Sequence, residues 1–246
     1  MSQAAVWLPY CGAAPVPAEL AARWNLDPVL LAGLALGVWA WARFTPGGTT
    51  ARWRFACAVA LILILFVSPF CALTSALFSA RTVHHLALTA VVAPLLAGAL
   101  PAATIRGGAA LWAAAHAVTF WFWHAPSAYE TALSHHAVYW TMQGSLLLTA
   151  VGLWQAVRRA SLPTGIAALL ATMVQMGLLG ALLTVAGASL YAPHALGPLA
   201  WGLTPLEDQQ LAGLVMWAPG AALYLVAALT LAGRWFAAQR PLVQPA

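Results

Sequence analysis

The segment FWFWHAPSAYETALSHHAVYW, residues 120–140, sets three histidines and a glutamate among seven aromatic residues. The whole chain has seven histidines: His84, His85, His116, His124, His135, His136 and His194. Imidazole is a good ligand for Zn, Cu, Fe and Ni, and cysteine and methionine favour Cu(I). Cys11 and Met142 are such soft donors, and Glu130, Glu207 and Asp208 are carboxylates able to orient imidazoles. The donor set therefore suits copper, although no HxH, CxxC or MxxxM run appears. Neither HExxH nor a Ser/His/Asp arrangement is present, which argues against a protease or acyltransferase.

The elements that carry these residues are dictated by composition. Of 246 residues, 63% are hydrophobic, 6% are charged and none is lysine. A soluble domain is about one quarter charged, and one core of this size could not hide so much apolar surface. Lipid is therefore the solvent. The ten arginines are scattered and form no basic stripe, so nucleic acid is not a partner. Residues 1–25 lack a basic start followed by an apolar run, so no cleavable signal peptide is expected.

A spanning helix needs roughly 20 mostly apolar residues. Seven segments qualify, at about 27–44, 52–72, 82–100, 107–124, 136–158, 164–190 and 210–233. The expected fold is all-α, a polytopic bundle of seven transmembrane helices over residues 26–236, with an extracytoplasmic segment 1–25 and a short cytoplasmic tail 237–246. Pro69 and Pro94 fall inside predicted spans, where proline kinks a helix unless neighbours re-satisfy the backbone. With the N-terminus outside, Arg43, Arg52, Arg54, Arg106, Arg158, Arg159, Arg234 and Arg240 fall inside, and only Arg23 and Arg81 outside. The orientation is N-out and C-in, in a multi-pass protein of the bacterial cytoplasmic (inner) membrane.

Six of the histidines then fall at the outer side, and His116 lies about 12 Å deeper than His124. The short 125–134 loop brings His124 near His135 or His136. Adjacent histidines point about 100° apart on a helix, so one each of 84/85 and 135/136 faces any given site. His194 alone reads as a side chain at a wet boundary, His116 equally as a helix–helix hydrogen bonder, and the 120–140 aromatics as an interfacial belt. Met142 reads first as packing. The cysteines at 11, 57 and 71 give no disulfide framework, and Cys57 is expected to be buried.

Three blocks carry a resemblance: VHHLALTAVVAPLLAGALP (83–101), the 120–140 segment, and LTPLEDQQLAGLVMWAPGAALYLVAAL (203–229). Together with the N-terminal YCG they resemble the polytopic CtaG family of cytochrome c oxidase assembly factors, of the type associated with caa-type oxidases. The likeness runs through nearly the whole chain. It places His85 at the family's third-span histidine, His124, Pro126 and Tyr129 in its W-H-x-P-x-x-Y block, His136 at its fifth-span histidine, and Asp208, Gln209, Trp217 and Pro219 in its last block. Arg81 stands where many relatives carry a further histidine.

The resemblance implies a protein, not an enzyme, that helps copper reach a haem-copper oxidase. Its partners would be oxidase subunits, a periplasmic copper donor and membrane lipid. The implied Cu(I) ligands are His85, His124 and His136, with His135 a further metal candidate and His84 and Cys11 as transient or lid ligands. Asp208, Glu130, Tyr129, His116 and Met142 would support them. A copper transporter, a haem protein and a pure scaffold are the alternatives. A transporter needs soft donors continuing to the inner face, where Gln143, Gln155, Gln175, Met173 and Cys57 are the few on offer.

Overall fold

A computed structural model of the chain describes residues 9–45, 47–101 and 105–239. The described residues form helices and connecting turns without strands. The α-helices are α1 Pro28–Phe44, α2 Thr49–Phe66, α3 Pro69–Ala76, α4 Phe78–Leu86, α5 Ala93–Ala99, α6 Ala109–His124, α7 Pro126–Ser134, α8 His136–Arg159, α9 Leu162–Val185, α10 Pro205–Val215 and α11 Ala221–Gln239. Wide π turns at Ala87–Val92 and Met216–Gly220 make α4–α5 and α10–α11 continuous. Each turn lies just before or around a proline, Pro94 and Pro219. Proline has no N–H to give the preceding turn, and a widened turn accommodates that loss.

Four stretches are long and apolar enough to cross a membrane: Thr49–Phe66, Phe78–Ala99, Leu162–Val185 and Pro205–Gln239; Pro28–Phe44 is apolar but shorter. Helix α8 is long as well, at 24 residues, but it buries Gln143, Thr149 and Gln155. Buried polar side chains need hydrogen-bond partners, and α8 uses them to bind its neighbours. Arg81 Nη1 donates to Tyr139 Oη at 3.3 Å, and Gln143 Nε2 meets His85 Nε2 at 3.4 Å. Farther along, Trp154 donates to the Thr89 carbonyl at 3.0 Å and Gln155 to that of Pro101 at 3.1 Å. These rungs hold α4–α5 and α8 side by side, running in the same direction.

Several boundaries differ from the expected spans, for local reasons. The predicted 52–72 span breaks at Phe66, and Ser68 caps a new helix whose first residue is Pro69. Proline at the first helical position sacrifices an N–H that would be unpaired anyway, so Pro69 starts a helix and does not kink one. The last helix begins at Pro205, before residue 210, because Thr204 and Glu207 form a reciprocal capping box. Helices α9 and α10 touch backbone to backbone: a Cβ on Gly213 would lie 2.6 Å from the Gly180 carbonyl oxygen.

The third predicted span starts at Phe78, not at 82, because its cap comes from across the bundle. Leu77 precedes it and offers no side-chain cap. The carboxylate of Asp208, on α10, accepts from the Phe78 N–H at 2.6 Å, the Ser79 N–H at 3.1 Å and the Ser79 hydroxyl at 2.5 Å. An anion at a helix N-terminus satisfies orphan donors and complements the helix dipole. Gln209 works at the opposite kind of terminus. Its amide N–H groups donate to the carbonyls of Leu183 and Ala188, and its oxygen accepts from the Leu190 N–H.

An N-terminal strap lies over the same end of the bundle. Asn25 ties it to the end of α2 by donating to the Phe66 carbonyl at 2.9 Å. Tyr10 stacks on Tyr139 at 5.1 Å, and Cys11 is joined to Cys71 of α3 by a disulfide with Cα atoms 5.4 Å apart. The expectation of no disulfide is thus corrected: residues separated by 60 positions meet only because the strap folds back. Closing a loop of that length stabilises the fold by about 4 kcal/mol. Cys57, expected to be buried, is exposed on α2.

Replacing Asp208 by Ala leaves the buried Phe78 and Ser79 donors without an acceptor. Thermal unfolding in detergent should show a loss of about 3 kcal/mol, with Asp208→Asn intermediate because its amide oxygen still accepts. A melting temperature unchanged by Asp208→Ala would contradict the capping role.

Candidate functional site

The cap on α4 fixes the helix from which three polar side chains enter the bundle, Arg81, His84 and His85, all of them buried. His85 meets His124, the last residue of α6, with ring centroids 5.6 Å apart and planes at 83°. The His84 ring lies 5.8 Å from that of His85 and packs edge-on to Phe66 at 4.7 Å. The two adjacent histidines thus look in different directions, as helix geometry requires.

The ring nitrogens sort these imidazoles by what they can do. His124 Nδ1 lies 2.7 Å from the Phe120 carbonyl oxygen, which can only accept. The proton therefore sits on Nδ1, and Nε2 carries a lone pair, the arrangement of a metal-binding imidazole. His85 Nε2 faces the Gln143 amide nitrogen at 3.4 Å, while His85 Nδ1 and Gln143 Oε1 have no hydrogen-bond partner among the described residues. Turning the Gln143 amide over lets its oxygen accept from Nε2–H and leaves the Nδ1 lone pair free. Both nitrogens of His84 are buried without a partner among the described residues. Buried polar atoms are normally paired, so this concentration of unpartnered imidazole nitrogen is what a site for a cation requires.

The remaining expected site residues fall elsewhere. His136 is exposed, and its ring packs edge-on to Tyr10 at 5.4 Å. His135 is exposed at the N-terminal boundary of α8, 3.4 Å from the Thr131 carbonyl. Neither joins the buried pair, because α8 begins with its first turn outside the core. Among the described residues no group of three His, Cys, Asp or Glu side chains is placed to hold a metal. His116, below His124 on α6, bonds Thr149 of α8 at 3.0 Å. Cys11 is in the disulfide and has no free thiol. Asp208 is fully buried as a helix cap, so it is not a group at the way in. Glu130 is half-buried on α7, and Met142 is fully buried beside Gln143 on α8.

His194 and Tyr129 form a second unit, separate from the pair. Tyr129 Oη donates to His194 Nε2 at 2.7 Å, and His194 Nδ1 faces the Ala76 carbonyl at 3.3 Å. Both nitrogens are thus occupied. His194 is 2% exposed, so it is a core residue and not one at a wet boundary. Tyr191 hydroxyl donates to the His124 carbonyl at 2.7 Å and holds the end of α6. Of the aromatic belt, Trp121 and Phe122 are exposed, but Tyr129 and Tyr139 are fully buried.

Sequence reasoning missed Arg81 and Gln143 as members of the site. A signal was present: Arg81 and His85 are four apart, as are Tyr139 and Gln143. Two parallel helices can pair such residues turn by turn, and an arginine within an apolar helix is a functional candidate by default.

Burial pushes the His194 imidazole down to about 3, with the Arg81 charge acting in the same direction. The unfolded chain would titrate it near 6.5. Between these values the unfolded state binds a proton that the folded state refuses, so stability falls as pH drops from about 6.5 toward 3, by about 1.4 kcal/mol per pH unit. His194→Gln is less stable than the parent at neutral pH but lacks this slope. The gap in melting temperature between the two should narrow from pH 7.5 to 4.5. A gap independent of pH would contradict the assignment.

The family profile described as cytochrome c oxidase caa3 assembly factor (Caa3_CtaG) matches residues 32–238. Among curated proteins and among solved structures, none matches the chain. The matched region runs from α1 into α11 and includes Arg81, His84, His85, His124, Gln143 and Asp208, so the chain belongs to the caa3-type cytochrome c oxidase assembly factors, the CtaG family.

Proposed function

We propose that this assembly factor handles copper for the oxidase and holds Cu(I) at the buried His85–His124 pair. One observation carries the reading: two imidazoles on different helices, 5.6 Å apart, stand beside unpartnered ring nitrogens in a buried setting. The donors fit the ion. Neutral imidazole suits copper, and two- or three-coordinate Cu(I) needs few ligands. His124 is pre-set as a lone-pair donor by the Phe120 carbonyl, and Gln143 can set His85 in the same way. His84, whose nitrogens have no hydrogen-bond partner at normal distance among the described residues, is the third donor on ligand exchange. His136 and His135 lie outside this set.

The chain crosses the membrane seven times, with its N-terminus and the imidazole cluster at the outer face. The arginine distribution supports this orientation. So does the Cys11–Cys71 disulfide at the cluster's end of the bundle, because disulfides persist on the oxidising side. Transfer to an oxidase subunit is a ligand exchange in the membrane and needs no catalysed covalent step. A transporter is less favoured: near the inner ends of α5 and α8, Gln155 and Arg158 are engaged with the backbone carbonyls of Pro101 and Ala97.

The test is copper content after anaerobic Cu(I) loading of the detergent-purified protein with its disulfide intact. The parent should retain about one copper. His85→Ala/His124→Ala should retain none, and His136→Ala should match the parent. Cells carrying the double variant should also make less active oxidase. Equal copper in the parent and a folded double variant would overturn the reading, and a Soret band in the parent would assign the pair to haem instead.

A further inference from the structure

Arg81 poses a problem of charge that the histidine site does not solve. It is completely buried. Nη1 donates to Tyr139, but Nε and Nη2 have no hydrogen-bond partner among the described residues. The ion pair found among those residues, Arg23 with Glu19, is elsewhere. The Asp208 carboxylate, at the start of the same helix, is taken up by Phe78 and Ser79. A buried cation without a counter-charge is costly, and the imidazoles beside it are neutral or positive. Something anionic belongs there.

The sulfur atoms lie next to this cation. Tyr139 Oη is 3.3 Å from Arg81 Nη1 and 3.7 Å from Cys11 Sγ, so guanidinium and sulfur are within about 7 Å of one another. The hydroxyl of Thr74 and the amide of Asn25 complete the surroundings of the two sulfurs, at 4.0 Å and 3.8 Å. As a disulfide the pair is uncharged. As two thiolates around one Cu(I) ion it carries a net charge of minus one.

We propose that Cys11 and Cys71, once reduced, form a second Cu(I) site of two sulfurs over the histidine cluster, and that Arg81 is its counter-ion. The proposal rests on the copper-handling reading for its cargo only. Reduction needs a dithiol donor. Its two thiols become a disulfide, the S–S bond between Cys11 and Cys71 breaks, and both become thiols. Binding Cu(I) then displaces one proton from each thiol and gives the anionic complex. Soft thiolates select Cu(I) over harder ions. The protein thus offers sulfur donors at the strap and imidazole donors beneath, and the redox state of the strap decides whether the upper site exists.

The experiment is an anaerobic Cu(I) titration of the full-length protein in detergent, against a coloured Cu(I) chelator, with the disulfide intact and after reduction by a phosphine. Reduction should add one copper per chain, with a thiolate-to-copper absorption band in the near ultraviolet. The added copper should persist in His85→Ala/His124→Ala, and should vanish in Cys11→Ser or when the reduced parent is alkylated with iodoacetamide. Alkylation keeps the test valid if the serine variant fails to fold. Arg81→Gln should weaken the added site at least about tenfold, as loss of one neighbouring opposite charge does. Equal copper before and after reduction, with two free thiols confirmed by mass, would overturn the sulfur site and leave a structural staple. Unchanged affinity in a folded Arg81→Gln would overturn the counter-ion. Equal copper in the oxidised parent and the oxidised His85→Ala/His124→Ala variant, with one more copper in each after reduction, would sink the previous reading and leave this one standing.

Discussion

The structure depends on one carboxylate. Asp208 sits on α10 and closes the N-terminus of α4, more than a hundred residues earlier in the chain, with hydrogen bonds from Phe78 and Ser79. That bond sets where α4 starts and, through 3.6 residues per turn, which way Arg81, His84 and His85 project. Its neighbour Gln209 fastens the chain leaving α9, from which Tyr191 and His194 reach back to the end of α6 and to Tyr129. Two adjacent residues thus hold both helices that carry the imidazole pair. The caps explain Asp-Gln in this position without any contact to a metal.

Within the cluster, what distinguishes one histidine from another is the partner of each nitrogen. His194 is fully bonded and structural, and His116 is bonded on one side to Thr149. His124 is bonded on the side that leaves a lone pair on Nε2, and neither nitrogen of His84 has a hydrogen-bond partner at normal distance among the described residues. In a low-dielectric interior each unmade bond is costly. Unpartnered nitrogens gathered on α4 therefore signal a function more strongly than histidine count does.

Much of this was legible in the amino-acid sequence, and the parts that were not share a cause. Apolar runs located the long helices, and the clustering of histidines marked the end of the bundle where His85 and His124 meet. The start of α4 was hidden because Leu77 offers no cap, and its real cap lies on another helix. The disulfide was hidden because Cys11 and Cys71 share no motif spacing and meet only through the fold of the strap. His136 looked equivalent to His124, since both stand at helix ends. Only tertiary packing separates the buried one from the exposed one. Helix periodicity reports which residues share a face, and nothing local reports which face the other helices will cover.

The reading proposed above has copper bound through imidazole nitrogen of His85 and His124. The most direct measurement is X-ray absorption at the copper edge on the anaerobically loaded protein with its disulfide intact. The account predicts a low-coordinate Cu(I) spectrum with imidazole scattering and no sulfur in the first shell. Sulfur scattering from the oxidised protein, or ordinary solvent-like oxygen coordination, would contradict it.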